Sequence, residues 1–265
     1  MSCQLKHILT LLILLASFSA AQSQEDINQT GEKGLKQGHW IKKYPDGQVM
    51  YEAWFRDGKP VGEFKRYDEE GNMSSLLNYI AGTDSVKASI YHPNGYIAAR
   101  GVYYKQKKTG EWHYFSEYIE NHMLLKCSYR DNKIDGLSIK YHWNGQIAEE
   151  LNYDKGIKSG RWKQYFDDGT LCLKAYYASG KLDGEFLSWH PNGKKEIIGQ
   201  YDMDIRTGTW YIYNNDGSLR KEIKYNNGIP ENRSELIKEE TEYLDRLEKE
   251  GGKISDPEKT GIIKR

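Results

Sequence analysis

Apolar and polar residues alternate with a period of two through much of the chain, in short segments separated by turn residues. In residues 123–129 the alternate positions Met123, Leu125, Cys127 and Tyr129 are apolar or aromatic, and the positions between them are mostly polar. A period of two is that of a β-strand with one buried face. The pattern therefore predicts strands whose apolar side chains share one face of a sheet.

The alternating segments belong to an internal repeat of about 24 residues. Gly160, Gly184 and Gly208 start successive repeats 24 residues apart, and Val86 takes the place of this glycine in the third repeat. The second strand of each repeat ends on an aromatic residue: Phe55, Tyr79, Tyr103, Tyr129, Tyr153, Tyr177, Tyr201 and Tyr225. One repeat cannot bury its apolar face alone, so we expect eight hairpins over residues 38–231 to stack with this aromatic series as a ladder.

Each hairpin has an Asn-Gly or Asp-Gly pair, or a close variant, at its turn. Asn144-Gly145 and Asp168-Gly169 are examples, and Asn121 takes the role of the glycine in the fourth repeat after a two-residue insertion. Such pairs favour type I′ turns, in which both central residues have positive φ. The sequence therefore predicts tight two-residue hairpins of this type.

The first strand of each repeat is less regular than the second. Trp162 and Tyr165 lie three residues apart, and most repeats have a similar aromatic pair. A spacing of three puts the two side chains on opposite faces of a flat strand. Two interpretations stay open: both faces of the sheet are partly covered, or the strand bends near the turn.

The two ends of the chain have a different character from the repeats. Residues 1–21 have a short positive start, an apolar run of eleven positions and small residues before Gln22, which predicts a cleavable signal peptide. Residues 22–37 are expected to be a polar linker, residues 232–251 a helix and residues 252–265 a flexible tail. The helix carries an apolar stripe that includes Leu244, and it either caps the last strand of the sheet or binds a partner.

Net charge and composition restrict the classes of partner. Lys plus Arg and Asp plus Glu both number 38, so the formal net charge is zero. Binding to nucleic acid or to an anionic membrane usually requires a basic surplus, and neither is expected. The apolar run near the start is too short for a transmembrane helix, so we expect no integral membrane span after signal cleavage.

Candidate chemistry is sparse, and we predict no catalytic residue, no cofactor-binding residue and no metal ligand. His92, His142 and His190 occupy one repeat position, but two repeats separate them by about 19 Å, too far to share one ion. They are expected at the surface before the turns. The only visible break in the repeat is the insertion at residues 117–122, which is interpreted as a longer hairpin turn and not as a polar catalytic cluster.

The exported chain would keep two cysteines. Cys127 lies on the apolar alternation and is expected in the core, whereas Cys172 is expected on the other face and should be the more reactive thiol. Corresponding strands two repeats apart are too distant for a disulfide, so both are predicted to be reduced.

The repeat resembles the MORN-variant repeat family, in which MORN stands for membrane occupation and recognition nexus. The matching core consists of Gly160, Trp162, Tyr165, Asp168, Gly169, Tyr177 and Gly180, and residues 208–228 repeat it. The resemblance implies an elongated antiparallel sheet of stacked hairpins and offers no catalytic motif. Many bacterial members are labelled as antitoxins of toxin–antitoxin systems, and proteins with the parent repeat are mostly described as scaffolds, often near membranes.

Three functional hypotheses follow. The favoured one is an exported scaffold, periplasmic, associated with the outer envelope or secreted, that binds an unknown protein or cell-envelope component without catalysis. The alternative is an antitoxin or immunity-type protein that neutralises a toxin. An enzyme is the least favoured, because no polar cluster interrupts the repeats apart from Glu117, Glu120, Asn121 and His122 in the insertion.

Overall fold

A computed structural model describes residues 26–231 together with the helical residues 241, 242, 244–246 and 249. Residues 26–231 form an open antiparallel sheet in which each strand pairs with its neighbours in chain order. The all-β architecture of stacked hairpins predicted from the alternation is confirmed. The predicted signal peptide and the flexible tail lie outside the described residues.

The sheet has sixteen principal strands, two for each of the eight predicted repeats, and three two-residue pieces. The strands are β1 (Gln29–Thr30), β2 (Lys36–Lys43), β3 (Val49–Arg56), β4 (Lys59–Tyr67), β5 (Met73–Tyr79), β6 (Ser85–Tyr91), β7 (Ile97–Tyr104), β8 (Lys107–Phe115), β9 (Met123–Arg130), β10 (Lys133–Tyr141), β11 (Ile147–Asp154), β12 (Ile157–Tyr165), β13 (Leu171–Ala178), β14 (Lys181–Leu182), β15 (Gly184–Trp189), β16 (Lys195–Asp202), β17 (Ile205–Tyr213), β18 (Leu219–Asn226) and β19 (Ile229–Pro230).

A β-bulge lies beside every hairpin turn, on the second strand of the hairpin. In the sixth hairpin Gln164 pairs with Leu173 but Tyr165 pairs with Leu171, which leaves Cys172 as the extra residue. The same register shift occurs in all eight hairpins. A bulge bends the strand and interrupts the alternation of faces. The bulge bends the second strand near the turn and turns Cys172 toward the core. In the first strand Trp162 is buried on the core face, whereas Tyr165 reaches Glu150 on the opposite face, which agrees with the interpretation that both faces are partly covered.

A second register shift accompanies the glycine that starts a repeat, and it is missing where that glycine is missing. Ala53 pairs with Phe64 but Trp54 pairs with Val61, so the chain bulges around Gly62, whose φ is +67°. At the third repeat, β5 and β6 pair without a shift and Val86 lies opposite Tyr79. A β-branched residue rarely adopts positive φ, so valine keeps the regular ladder.

The hairpin turns differ from the predicted type I′ turns, and the turns between repeats are of another kind. At the hairpin turn the Gly193 N–H donates to the His190 carbonyl at 2.9 Å, and only the glycine has positive φ. This is a type I turn followed by a left-handed glycine. The turns between repeats instead have two consecutive positive φ angles, as at Asn227 and Gly228. Pro191 is the sequence signal for the first kind, because proline fixes a negative φ at the first central position.

The core lies on a single face of the sheet, as three clusters of buried aromatic and aliphatic side chains. The predicted ladder is confirmed: Tyr201 and Tyr225 are buried, and Trp210 lies between them with ring centroids 5.0 and 6.1 Å away. Tyr153 also packs against this cluster, whereas Glu150 on the opposite face accepts a hydrogen bond from the Tyr165 hydroxyl at 2.9 Å.

Glycines of the preceding repeat accommodate two of the tryptophan rings. The indoles of Trp112 and Trp210 lie directly over Gly101 and Gly199, where a Cβ atom would come within 2.2 Å of the ring. At the corresponding place in the second repeat the ring is Phe64 and its partner is Ala53. Small residues thus make room for these three rings, whereas Trp162 lies opposite the larger Leu151.

The ends of the sheet are covered more closely than the sequence suggests. The expectation of a polar linker over residues 22–37 is wrong for β1, which pairs with Gln37 and Lys36 of β2. At the other end, the described helical residues lie within the predicted helix, the rest of which is outside the described residues. Leu244 is fully buried against the core, and Asp245 lies 3.0 Å from Arg206. This supports the interpretation as a cap, which covers the aromatic face of the last repeats.

Candidate functional site

The three histidines of one repeat position join neighbouring repeats. The ring Nε2 atoms of His92, His142 and His190 lie 3.1, 2.8 and 3.0 Å from backbone carbonyls of the next repeat. A carbonyl only accepts, so Nε2 carries the proton in each case. His92 is buried and the other two are half-buried, so the expectation of surface histidines is wrong. Their role is to satisfy turn carbonyls between hairpins.

The asparagines of the same turns form a second set of links. The Nδ2 group of Asn94 donates to the Glu117 carbonyl, and that of Asn192 donates to the Asn215 carbonyl, each at 2.6 Å. Asn144 makes the equivalent contact with Asp167. These contacts link the third hairpin tip to the fourth, the fifth to the sixth and the seventh to the eighth.

One group of nucleophilic and titratable side chains gathers near the seventh hairpin, but its electrostatics oppose nucleophilic chemistry. Ser188 Oγ donates to Glu196 at 2.9 Å, and His190 Nδ1 lies 3.9 Å from the same carboxylate. Burial, and the negative charge of Glu196, raise the pKa of Cys172 to about 11. A thiol with so high a pKa is a poor nucleophile at neutral pH.

The Cys172 result corrects one prediction and supports another. The side chain packs against the core cluster and does not point to the opposite face, because it is the extra residue of a bulge. Cys127 is buried as predicted, and both cysteines are free thiols. Within the part of the chain that is described, no set of three or more His, Cys, Asp or Glu side chains is placed to hold a metal ion.

Exposed aromatic side chains mark the fourth and fifth hairpins. Trp143 is 62% exposed, and its indole stacks on His122 with centroids 5.2 Å apart and planes at 12°. Tyr118 is 77% exposed and Ile119 is 50% exposed in the neighbouring insertion. These four residues are termed the tip surface.

The inserted loop that carries part of the tip surface is held by its own hydrogen bonds. Ser116 is buried, and its hydroxyl accepts from the backbone N–H groups of Tyr118 and Ile119 at 3.0 and 3.3 Å. Asn121 has a φ of +57°, which confirms that it takes the role of the turn glycine. The loop is the longer hairpin turn predicted from the sequence, and it displays two apolar side chains to solvent.

The repeats match the sequence profile described as MORN repeat variant. Five segments match, and they are residues 60–81, 134–155, 158–179, 182–203 and 206–227. The chain belongs to the MORN-variant repeat family. The repeat-start glycine that accompanies the bulge is the third residue in all five matched segments.

MORN repeats are in general binding or scaffold modules, and the family is a non-catalytic one. Among the described residues no helix is both long and apolar enough to cross a membrane. The geometry of this MORN-variant sheet agrees with that general role, because its most exposed aromatic side chains lie outside the packed core.

Two further likenesses are weak or partial. Telokin of Meleagris gallopavo is 41% identical over 51 residues, which is 18% of this chain and 31% of telokin, so the chain spans about a third of that relative. A chain in the crystal structure of TcdB2-TccC3-Cdc42 is 10% identical, with 74% of this chain and 16% of that chain covered and a TM-score of 0.17. Neither likeness extends to a whole protein.

Proposed function

We propose that this protein is an exported MORN-variant scaffold that binds a protein or cell-envelope component through the tip surface. The observation that carries the proposal is the solvent exposure of Tyr118, Ile119 and Trp143 at the tips of two successive hairpins. Large exposed aromatic residues in a cluster are typical of protein interaction sites.

The tip surface is not required for stacking of the repeats. Its loop is an insertion that the other hairpins lack, and those hairpins close with short turns of the same geometry. Trp143 stacks on His122, so its ring is held in place before a partner arrives. A preorganised aromatic side chain loses little conformational entropy on binding, which favours affinity.

The apolar segment at residues 1–21 supports export, since its length and flanking residues are those of a signal peptide. Export would put the scaffold among envelope proteins and polymers. The neutral net charge supports neither nucleic acid nor an anionic lipid surface as the partner.

Site-specific crosslinking in the producing cell tests the proposal. A photoreactive phenylalanine analogue replaces Tyr118, and in a matched control it replaces Lys43, an exposed residue at the first hairpin tip. We expect a discrete adduct from the envelope fraction at Tyr118 that is absent at Lys43 and is lost with Trp143→Ala. No adduct at Tyr118, or the same adducts at both positions, would contradict the tip surface as the binding site.

A further inference from the structure

Trp54 is a second exposed indole, on the face of the sheet opposite the core. It is 48% exposed, while its neighbours Ala53 and Phe55 are buried on the aromatic face. The same position of the later repeats holds Asn78, Val102, Ser128, Asn152, Tyr176, Gln200 and Lys224. Packing between repeats therefore does not require tryptophan here.

The indole of Trp54 is held flat by the strand beside it. His39 pairs with Trp54 across β2 and β3, and the two rings stack with centroids 5.2 Å apart and planes at 11°. The imidazole is fixed in turn, since His39 Nε2 lies 2.9 Å from a carboxylate oxygen of Glu52. The pair thus forms a rigid aromatic platform.

A cleft opens on the other side of Trp54. Because Trp54 pairs with Val61 and Ala53 pairs with Phe64, the backbone of β4 bulges around Gly62 and Glu63. The cleft has a volume of about 460 Å³, within the range of small-ligand sites. Glu52, Glu63 and Lys65 contribute its polar groups.

We propose that the Trp54 cleft binds a pyranose unit of a neutral oligosaccharide. The face of an indole carries partial negative charge and attracts the polarised C–H groups on one face of a sugar ring. Carboxylates and an ammonium group around the ring can accept from and donate to its hydroxyls. An envelope glycan would be the natural source, and in this respect the inference rests on the proposed function.

The charges of the cleft favour a neutral ligand over a cationic one. Glu52 is engaged by His39, and Glu63 lies 3.6 Å from the ammonium group of Lys65. A cation would have to compete with both of these partners. A neutral polyhydroxyl ligand can use the remaining lone pairs of the carboxylates without breaking either pair.

Titration calorimetry of the exported full chain with chitotetraose, cellotetraose and maltotetraose tests the assignment. We expect saturable binding of at least one of them, weakened about tenfold or more by Trp54→Ala and less by Trp54→Phe. The matched control is Tyr104→Ala, which removes an aromatic side chain that is 47% exposed but lies outside both the cleft and the tip surface, and it should leave binding unchanged. Circular dichroism should show the same fold and melting temperature for both variants, since both side chains are exposed.

Three results would overturn the proposal. They are no saturable binding of any of the three saccharides, equal weakening by Trp54→Ala and Tyr104→Ala, and crosslinking of a protein at Trp54 in place of sugar binding. If calorimetry detects no sugar binding, the crosslinked adduct at Tyr118 is still expected. If crosslinking at Tyr118 gives no adduct, sugar binding in the Trp54 cleft is still expected. The two proposals are thus separable.

Discussion

Substitution of Gly199 by alanine should disrupt the contact between the seventh and eighth repeats. A Cβ atom at this position would lie 2.2, 2.3 and 2.4 Å from three atoms of the Trp210 ring. Carbon atoms in contact are about 3.5–4.0 Å apart, so the ring would have to move by more than about 1 Å. Trp210 is fully buried among Phe186, Tyr201 and Tyr225, which leaves it little space.

The size of the effect follows from two opposing terms. Overpacking a well-filled core costs about 1–3 kcal/mol and occasionally more. Loss of glycine flexibility in the unfolded chain returns about 0.4–1 kcal/mol where the backbone angles suit alanine. Because the required displacement is large, we expect Gly199→Ala to lower the free energy of unfolding by about 2–3 kcal/mol. Gln200→Ala, at the next exposed position, should change it by less than about 0.5 kcal/mol.

Urea unfolding monitored by circular dichroism gives the comparison, together with amide hydrogen exchange, because repeat arrays need not unfold in a single step. Exchange should accelerate in β16 and β17 and change little in β3 and β4. The double variant Gly199→Ala with Trp210→Phe reproduces the natural pair Ala53 and Phe64. It should recover part of the free energy of unfolding that Gly199→Ala loses. Equal urea midpoints for Gly199→Ala and Gln200→Ala would refute the packing of the indole over the glycine.

Three further predictions concern the thiols, the amino terminus and the core face. Cys172 should be labelled slowly at pH 8, where about one thiol in a thousand is ionised, and faster as the pH rises toward 11. Cys127 should be labelled only after denaturation, because it is buried. Rapid labelling of Cys172 at neutral pH would show that its thiol is not desolvated. Mass spectrometry of the exported protein should find Gln22 at the amino terminus, and an intact segment 1–21 would contradict signal cleavage. Tyr153→Ala should cost about 2–4 kcal/mol and Glu150→Gln under about 1 kcal/mol, since glutamine can still accept from the tyrosine hydroxyl beside it; equal urea midpoints would reverse the assignment of faces.

Alternation and period were sufficient to predict the fold. The aromatic residues that end each second strand are spaced by one repeat, so side chains such as Tyr201 and Tyr225 had to become neighbours once hairpins stacked. Even one irregularity was encoded locally. Val86 replaces a positive-φ glycine, and the bulge between β5 and β6 is absent there. Local conformational preference and strand periodicity act within a few residues, which is the range that sequence patterns report.

Contacts between repeats were decided only in the tertiary structure. A bulge turns Cys172 toward the core, although strict alternation places it on the other face. His92 became a buried link between turns because a carbonyl of the next hairpin lies within reach of its ring. Alternation places Trp54 on the face opposite Ala53 and Phe55, but the stacking of its indole on His39, and of Trp143 on His122, is seen only in the tertiary structure. Burial depends on which residues of neighbouring hairpins are in contact. Bulges shift the pairing register of adjacent strands, and the sequence period alone does not predict these shifts.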